Sequence, residues 1–253
     1  MSKVFLVGAG PGDPELLTVK AYRLLQRADV ILHDGLVSPE VLELAPRDAV
    51  VINVGKRCGS RRVTQEDIHA LMVAVALASS GQTIVRLKGG DPMLFGRAAE
   101  EMDALTEAQV DYEVVPGVTA ALAAAAQVGI SLTDRRSCSH VVFTTGHQCA
   151  GKERPDWSGI VRPDTTVAIY MPGSDYQELS RSLILAGLAE ETPCLLISQI
   201  GSPDQGQRVH FSTLNRVAEL PRFSAPALFL AGSTVGGRRR AGLNHAEIAA
   251  CRG

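Results

Sequence analysis

Four short segments hold the residues that could do chemistry, and each follows an apolar, strand-like run. They are Val7-Gly8-Ala9-Gly10-Pro11-Gly12-Asp13-Pro14, Val54-Gly55-Lys56-Arg57, Leu87-Lys88-Gly89-Gly90-Asp91-Pro92 and Val115-Pro116-Gly117-Val118-Thr119-Ala120. Glycine lets a backbone come close to a ligand, so that exposed N–H and C=O groups read it. Open α/β sheets bind ligands beside the carboxyl ends of their strands. Four such loops on one edge describe one small-molecule site. Asp34, just past a second strand, is an acid/base candidate at that edge, or simply the turn former before Gly35. Lys56 and Arg57 are either a solvated basic loop or, with Arg61, Arg62, Arg97, Arg135 and Arg136, an anion clamp.

Several chemistries are disfavoured by the same loops. The first places Asp13 where the third glycine of a dinucleotide fingerprint belongs. A carboxylate there competes with phosphate at the helix N-terminus. No loop ends Gly-Lys-Ser/Thr, and no Gly-x-Ser-x-Gly elbow occurs. The six histidines and five cysteines show no metal-ligand spacing, so no metal is expected.

The elements that must position these loops follow from periodicity. Strands are expected at Val4–Val7, Val30–Leu32, Val50–Val54, Thr83–Leu87 and Tyr112–Val115. Between them come helices at about 14–27, from Ser38-Pro39-Glu40, from Thr64 with a near capping box, and at about 94–108. This rhythm argues for a parallel, Rossmann-like sheet with helices on both faces. The runs Val-Ile-Leu and Val-Val-Ile suit strands buried on both sides. Beyond an alanine-rich helix at 118–127, strands at 141–145, 166–171, 194–198, 208–211 and 227–231 with one helix near 175–186 suggest a second, mixed-sheet domain. The expected division is 1–116, 117–236 and a surface tail, 237–253.

Bulk composition narrows the class. The chain has 253 residues, 45% hydrophobic, with a net charge of −2, so nothing pulls it toward nucleic acid or an acidic membrane. Aromatics are only 4%, which leaves a core of Leu, Val, Ile and Ala and no nucleic-acid motif. Five dispersed cysteines suggest free thiols in a reducing, cytoplasmic setting. The N-terminus does not read as a signal peptide, and no apolar run is long enough to span a membrane.

Taken in order, the segments resemble the tetrapyrrole methyltransferases. To those above are added His33-Asp34-Gly35-Leu36-Val37-Ser38, Val85-Arg86-Leu87-Lys88, Phe95-Gly96-Arg97, Gly129-Ile130, Leu132-Thr133, Thr145-Gly146-His147 and Tyr170-Met171, in family order over residues 3–235. The resemblance implies two α/β domains with S-adenosylmethionine in the cleft between them, and a homodimer. It implies two successive methylations of uroporphyrinogen III, giving precorrin-2 and S-adenosylhomocysteine, on the way to sirohaem or cobalamin. By family position Asp34 is the proton acceptor, and Lys56 a proton donor or a carboxylate contact. Pro11, Gly89, Gly90, Asp91, Leu94, Thr119, Ala120, Met171, Ile200 and Ala227 would line the cofactor site. Asp91 would meet a hydroxyl or ammonium of the cofactor. Arg57, Arg97 and Arg135 would bind the substrate's carboxylates.

The chain departs from the family at a few places around the tetrapyrrole. Many members have Arg at Gly35, His at Asp134, a glycine pair at Ala98-Ala99 and Gly at Pro172. These leave a methyltransferase of a later corrin intermediate as the alternative. From other classes, a nucleotide-binding oxidoreductase and a non-catalytic binding module are also weighed.

Overall fold

The computed structural model describes residues 2–55, 63–78, 80–146, 157–201, 207–223 and 225–236. Lys56, Arg57, Arg61, Arg62, His147 and the expected tail 237–253 lie outside the described residues. The chain divides into two compact units, Met1–Ala120 and Ala121–Gly253.

The first unit runs β1 (Lys3–Gly8), α1 (Val19–Leu25), β2 (Val30–His33), α2 (Pro39–Leu42), β3 (Val50–Asn53), α3 (Gln65–Ala78), β4 (Thr83–Lys88), α4 (Ala98–Glu107) and β5 (Tyr112–Val115). All five strands are parallel, in the order β3-β2-β4-β1-β5. Successive strand residues face opposite sides. Val7, Ile31, Val85 and Leu87 therefore pack with Ala21, Leu24, Leu25 and Val41 of α1 and α2. Val4, Leu6, Val30, Leu32 and Ile84 pack with Ile68, Met72 and Leu105 of α3 and α4. The same alternation assigns Arg86 and Lys88 to the α3/α4 side, in step with Ile84.

The second unit runs α5 (Ala120–Val128), β6 (His140–Thr145), β7 (Thr165–Tyr170), α6 (Tyr176–Leu185), β8 (Pro193–Ser198), β9 (Arg208–Thr213) and β10 (Ala227–Ala231). Its sheet is β6-β7-β10-β8-β9, with β6 and β7 parallel and every other pair antiparallel. Val167, Ile169, Leu179, Leu183, Leu196 and Phe229 form its core with Trp157. A parallel α/β sheet followed by a mixed one is the architecture that the periodicity predicts.

Three expectations change. The first helix is broken: Pro14–Leu16 is a single 3-10 turn, Leu17 is extended, and Thr18 caps α1 by accepting the Ala21 N–H at 3.2 Å. The helix expected from Leu94 begins only at Ala98, because Phe95 (φ 53°) and Arg97 (φ 57°) are left-handed and cannot continue a right-handed turn. β3 is an edge strand, with Val50 55% and Val51 44% exposed, so an apolar run does not make it central. The cap before α3 forms as expected: Thr64 Oγ1 accepts the Asp67 N–H, and Asp67 accepts the Thr64 N–H.

Candidate active site

The loops that follow β1, β4 and β5 are held together by backbone contact. Gly10 N–H donates to Gly90 O (3.1 Å), and Gly90 N–H donates to Gly10 O (2.7 Å). A Cβ on Gly8 would lie 2.6 Å from Gly117 N and 2.8 Å from Gly90 O, closer than any side chain tolerates. Glycine is required there because three main chains converge. Gly90 has φ +71°, and no atom of the described residues lies within 4 Å of where a Cβ would stand. Pro11 follows Gly10 in the same group of loops.

Asp91 ties the third loop to the second. Its Oδ1 accepts the Met93 N–H (2.8 Å) and its Oδ2 the Gly117 N–H (2.9 Å). Both oxygens of this predicted cofactor ligand already serve the protein. Thr119 and Ala120 follow Gly117, and half-buried Leu94 follows Asp91. The surroundings are peptide groups and apolar side chains, with Lys88 turned away and buried. Such a donor set fits an uncharged adenosyl group better than a phosphate.

Asp34 stands at the end of the neighbouring β2. Its backbone N–H donates to Leu87 O (3.1 Å), and its carbonyl accepts from Val37 N–H (3.2 Å). His33 Nδ1 lies 2.9 Å from the same carbonyl and therefore carries the proton there. Its Oδ1 meets Arg86 Nη2 at 2.5 Å. Its side chain is 31% exposed, while that of Arg86 is only 2% exposed.

Behind Asp34 lies a charge cluster that the sequence reading missed. Arg86 Nε donates to Glu101 Oε1 (2.9 Å), and Lys88 Nζ lies 2.8 Å from Glu101 Oε2. Glu101 comes from α4 and is wholly buried. Two cations and two carboxylates balance. Desolvation, then the neighbouring Arg86, pushes the Lys88 ammonium below its ordinary value of 10.5. The available signal was the pair of cations two residues apart on a strand whose same-face neighbour, Ile84, is core.

The expected arginine clamps differ among themselves. Arg97 is exposed and grips Glu100, whose carboxyl it holds below the usual range. Arg136 forks onto Asp134 through Nε (2.9 Å) and Nη2 (2.5 Å), which pulls the Asp134 carboxyl down to about 2. Arg135, between them, is exposed. Its turn is closed by Asp134 and Cys138 pairing and precedes the start of β6. Met171 instead follows the finish of β7, the strand parallel to β6. Ile200 follows the finish of β8, and Ala227 opens β10, opposite Ser198. Within the second unit these three gather at one sheet edge, with Arg135 at the other. Met171 is exposed with φ 48°, while Ile200 is buried.

The comparisons with known proteins agree with this reading. Residues 3–218 match the family described as tetrapyrrole (corrin/porphyrin) methylases. The uroporphyrinogen-III C-methyltransferase of Paracoccus denitrificans is 45% identical over 235 residues, covering 92% of this chain and 81% of that relative. The siroheme synthase of Actinobacillus succinogenes is 44% identical over 92% of this chain, which spans 48% of that longer protein. The uroporphyrin-III C-methyltransferase of Thermus thermophilus, solved with S-adenosylhomocysteine, superposes with a TM-score of 0.78 at 39% identity, covering 92% of this chain and 99% of that one. The chain belongs to the tetrapyrrole methylase family.

Proposed function

We propose that this chain is an S-adenosylmethionine-dependent C-methyltransferase that converts uroporphyrinogen III to precorrin-2 by two successive methylations. The observation that carries the reading is the edge of the parallel sheet. There, glycine loops locked by Asp91 stand next to a carboxylate, Asp34, held by a buried arginine. When bound, S-adenosylmethionine supplies a methyl group on a sulfonium, an electrophile that needs no further activation. The protein's task is then to hold an electron-rich pyrrole carbon in line and to remove a proton.

In this reading the backbone around Pro11, Gly89, Gly90, Thr119 and Ala120 holds the cofactor with the apolar Leu94, Met171, Ile200 and Ala227. Asp34 accepts the proton that the macrocycle sheds after the carbon–carbon bond forms. Lys56, Arg57, Arg97 and Arg135 meet the substrate's eight carboxylates, with Lys56 also serving to return a proton. The family relationship supports a homodimer, and the free, buried Cys138 and Cys194 suit a reducing cytoplasm.

The test is an anaerobic assay with uroporphyrinogen III made in situ and S-adenosylmethionine, read by mass spectrometry. A gain of two methyl groups is expected. Cofactor binding without methylation of this substrate would move the activity to a later corrin intermediate. No binding of S-adenosylhomocysteine by calorimetry would overturn the reading altogether.

A further inference from the structure

We infer that Arg86 is a positioning residue for methyl transfer: buried and fixed on Glu101, it holds Asp34 so that one carboxylate oxygen is presented to the tetrapyrrole. The inference rests on the proposed function, in which Asp34 is the proton acceptor.

The geometry makes Arg86 rigid. A guanidinium has five N–H donors in a planar fork. Here Nε donates to Glu101 Oε1 (2.9 Å), and Nη1 faces the Leu32 and Leu87 carbonyls (3.4 and 3.3 Å). Nη2 lies between Glu101 Oε1 (2.9 Å) and Asp34 Oδ1 (2.5 Å). Every donor direction has an acceptor, and the side chain has nowhere to rotate. Asp34 Oδ1 is thereby fixed, while Oδ2 has no hydrogen-bond partner among the described residues. β2 and β4 are paired, with His33 opposite Leu87, so arginine and aspartate emerge from adjacent strands.

Stability alone gives little reason for this arrangement. Buried ion pairs are often no better than apolar residues of equal size. The exposed Asp134–Arg136 turn shows that this chain can pair a surface aspartate cheaply. A pair beside the surface would leave the carboxylate mobile. A buried arginine on a wholly buried glutamate does not.

The test is a double-mutant cycle in the full chain, with kcat, KM and S-adenosylhomocysteine affinity measured for each variant. Arg86→Met should lower kcat by about a hundredfold, as a misplaced catalytic group does. KM and S-adenosylhomocysteine affinity should stay within about threefold. In an Asp34→Asn background the same change should cost less than about threefold, because the group it positions is gone. Lys88→Met removes the other cation on Glu101 but makes no direct contact with Asp34, so its cost should change between the two backgrounds far less than that of Arg86→Met. If Arg86→Met costs as much in the Asp34→Asn background as in the wild type, Arg86 is structural only and the inference falls. If Asp34→Asn leaves no measurable rate, or Arg86→Met does not fold, Arg86→Lys decides. Loss of kcat with KM and S-adenosylhomocysteine affinity within about threefold of wild type supports positioning by the planar fork, and a wild-type kcat, or equal losses in KM or affinity, overturns it. Full activity of Asp34→Asn would instead overturn the proton-acceptor assignment itself.

Discussion

Glu101→Gln removes one charge from a wholly buried position and keeps its shape. The carboxylate it replaces touches Arg86 on one oxygen and Lys88 on the other. Glutamine retains a carbonyl for Arg86 but turns an amide N–H₂ toward the ammonium of Lys88. Removing one partner of a buried ionic group costs roughly 3–5 kcal/mol. With a urea m-value of about 2 kcal/mol/M, that moves the midpoint of the first unit down by roughly 1.5–2.5 M. The cost also depends on pH, with a definite sign. Burial already lowers the folded pKa of Lys88, and Glu101 is a group that raises it back. Without Glu101 the folded value falls further, while the unfolded chain keeps its proton up to about 10.5. Where the unfolded state binds more protons, stability rises with pH. The deficit of the variant is therefore largest at neutral pH and shrinks toward pH 10, by at most about 1.4 kcal/mol per pH unit. Urea titrations of both proteins at pH 7 and pH 9.5, followed by far-ultraviolet circular dichroism, measure it. The single tryptophan, Trp157, lies in the second unit, so its fluorescence reports whether that unit unfolds together with the first. A deficit below about 1 kcal/mol at pH 7, well under the range for a broken buried pair, or one that does not change with pH, would refute the argument.

Three further outcomes are expected. Gly117→Ala drives a Cβ into Gly90 O and Gly8 Cα, so S-adenosylhomocysteine affinity should fall by at least tenfold in calorimetry, with overpacking costing about 1–3 kcal/mol. Gly35→Arg should fold normally and lower the KM for uroporphyrinogen III in steady-state assays, because among the described residues a Cβ there meets only Gly55 Cα at 3.8 Å and the new cation adds a carboxylate contact. Cys194, buried so that its thiol is pushed up to about 12, should resist iodoacetamide at pH 8 in the native protein and react once urea unfolds it, as site-resolved mass spectrometry would show.

The parts of the site that were legible in the sequence are those whose residue type is dictated by local backbone geometry. Gly8, Gly10, Gly90 and Gly117 mark the places where main chains touch or turn left-handed, and Asp13, Ser38 and Thr64 mark the starts of helical turns. The alternation of strands and helices was enough to predict a parallel sheet covered by helices on both faces. What stayed hidden depended on distant partners. Arg86 and Lys88 read locally as polar strand residues, and Glu101 is one of two adjacent acids on α4. Only the packing of α4 over β4 separates buried Glu101 from exposed Glu100. Asp91 reads as a ligand or a cap, and its contact to Gly117 spans 26 residues. Phe95 and Arg97 adopt left-handed backbone that their own residue types disfavour, so helical periodicity overran the true start of α4.

Two ways of handling arginine charge in one chain suggest how the proposed site divides its labour. Arg97 is paired with an acid three residues away in the open, where such a pair contributes only about 0–1 kcal/mol. An incoming substrate carboxylate can replace Glu100 at little cost, and until then the pair keeps the guanidinium oriented. Arg86 cannot exchange partners: its acceptors are a buried carboxylate, two main-chain carbonyls and Asp34. Exposed, exchangeable pairs suit a group that must accept a bulky polyanion and later release a larger product. A buried, saturated one suits a group that must stay fixed through two rounds of chemistry. The prediction that separates the two is a salt dependence. Raising ionic strength weakens exposed pairs and barely reaches buried ones, so KM should rise with salt while kcat at saturating substrate holds.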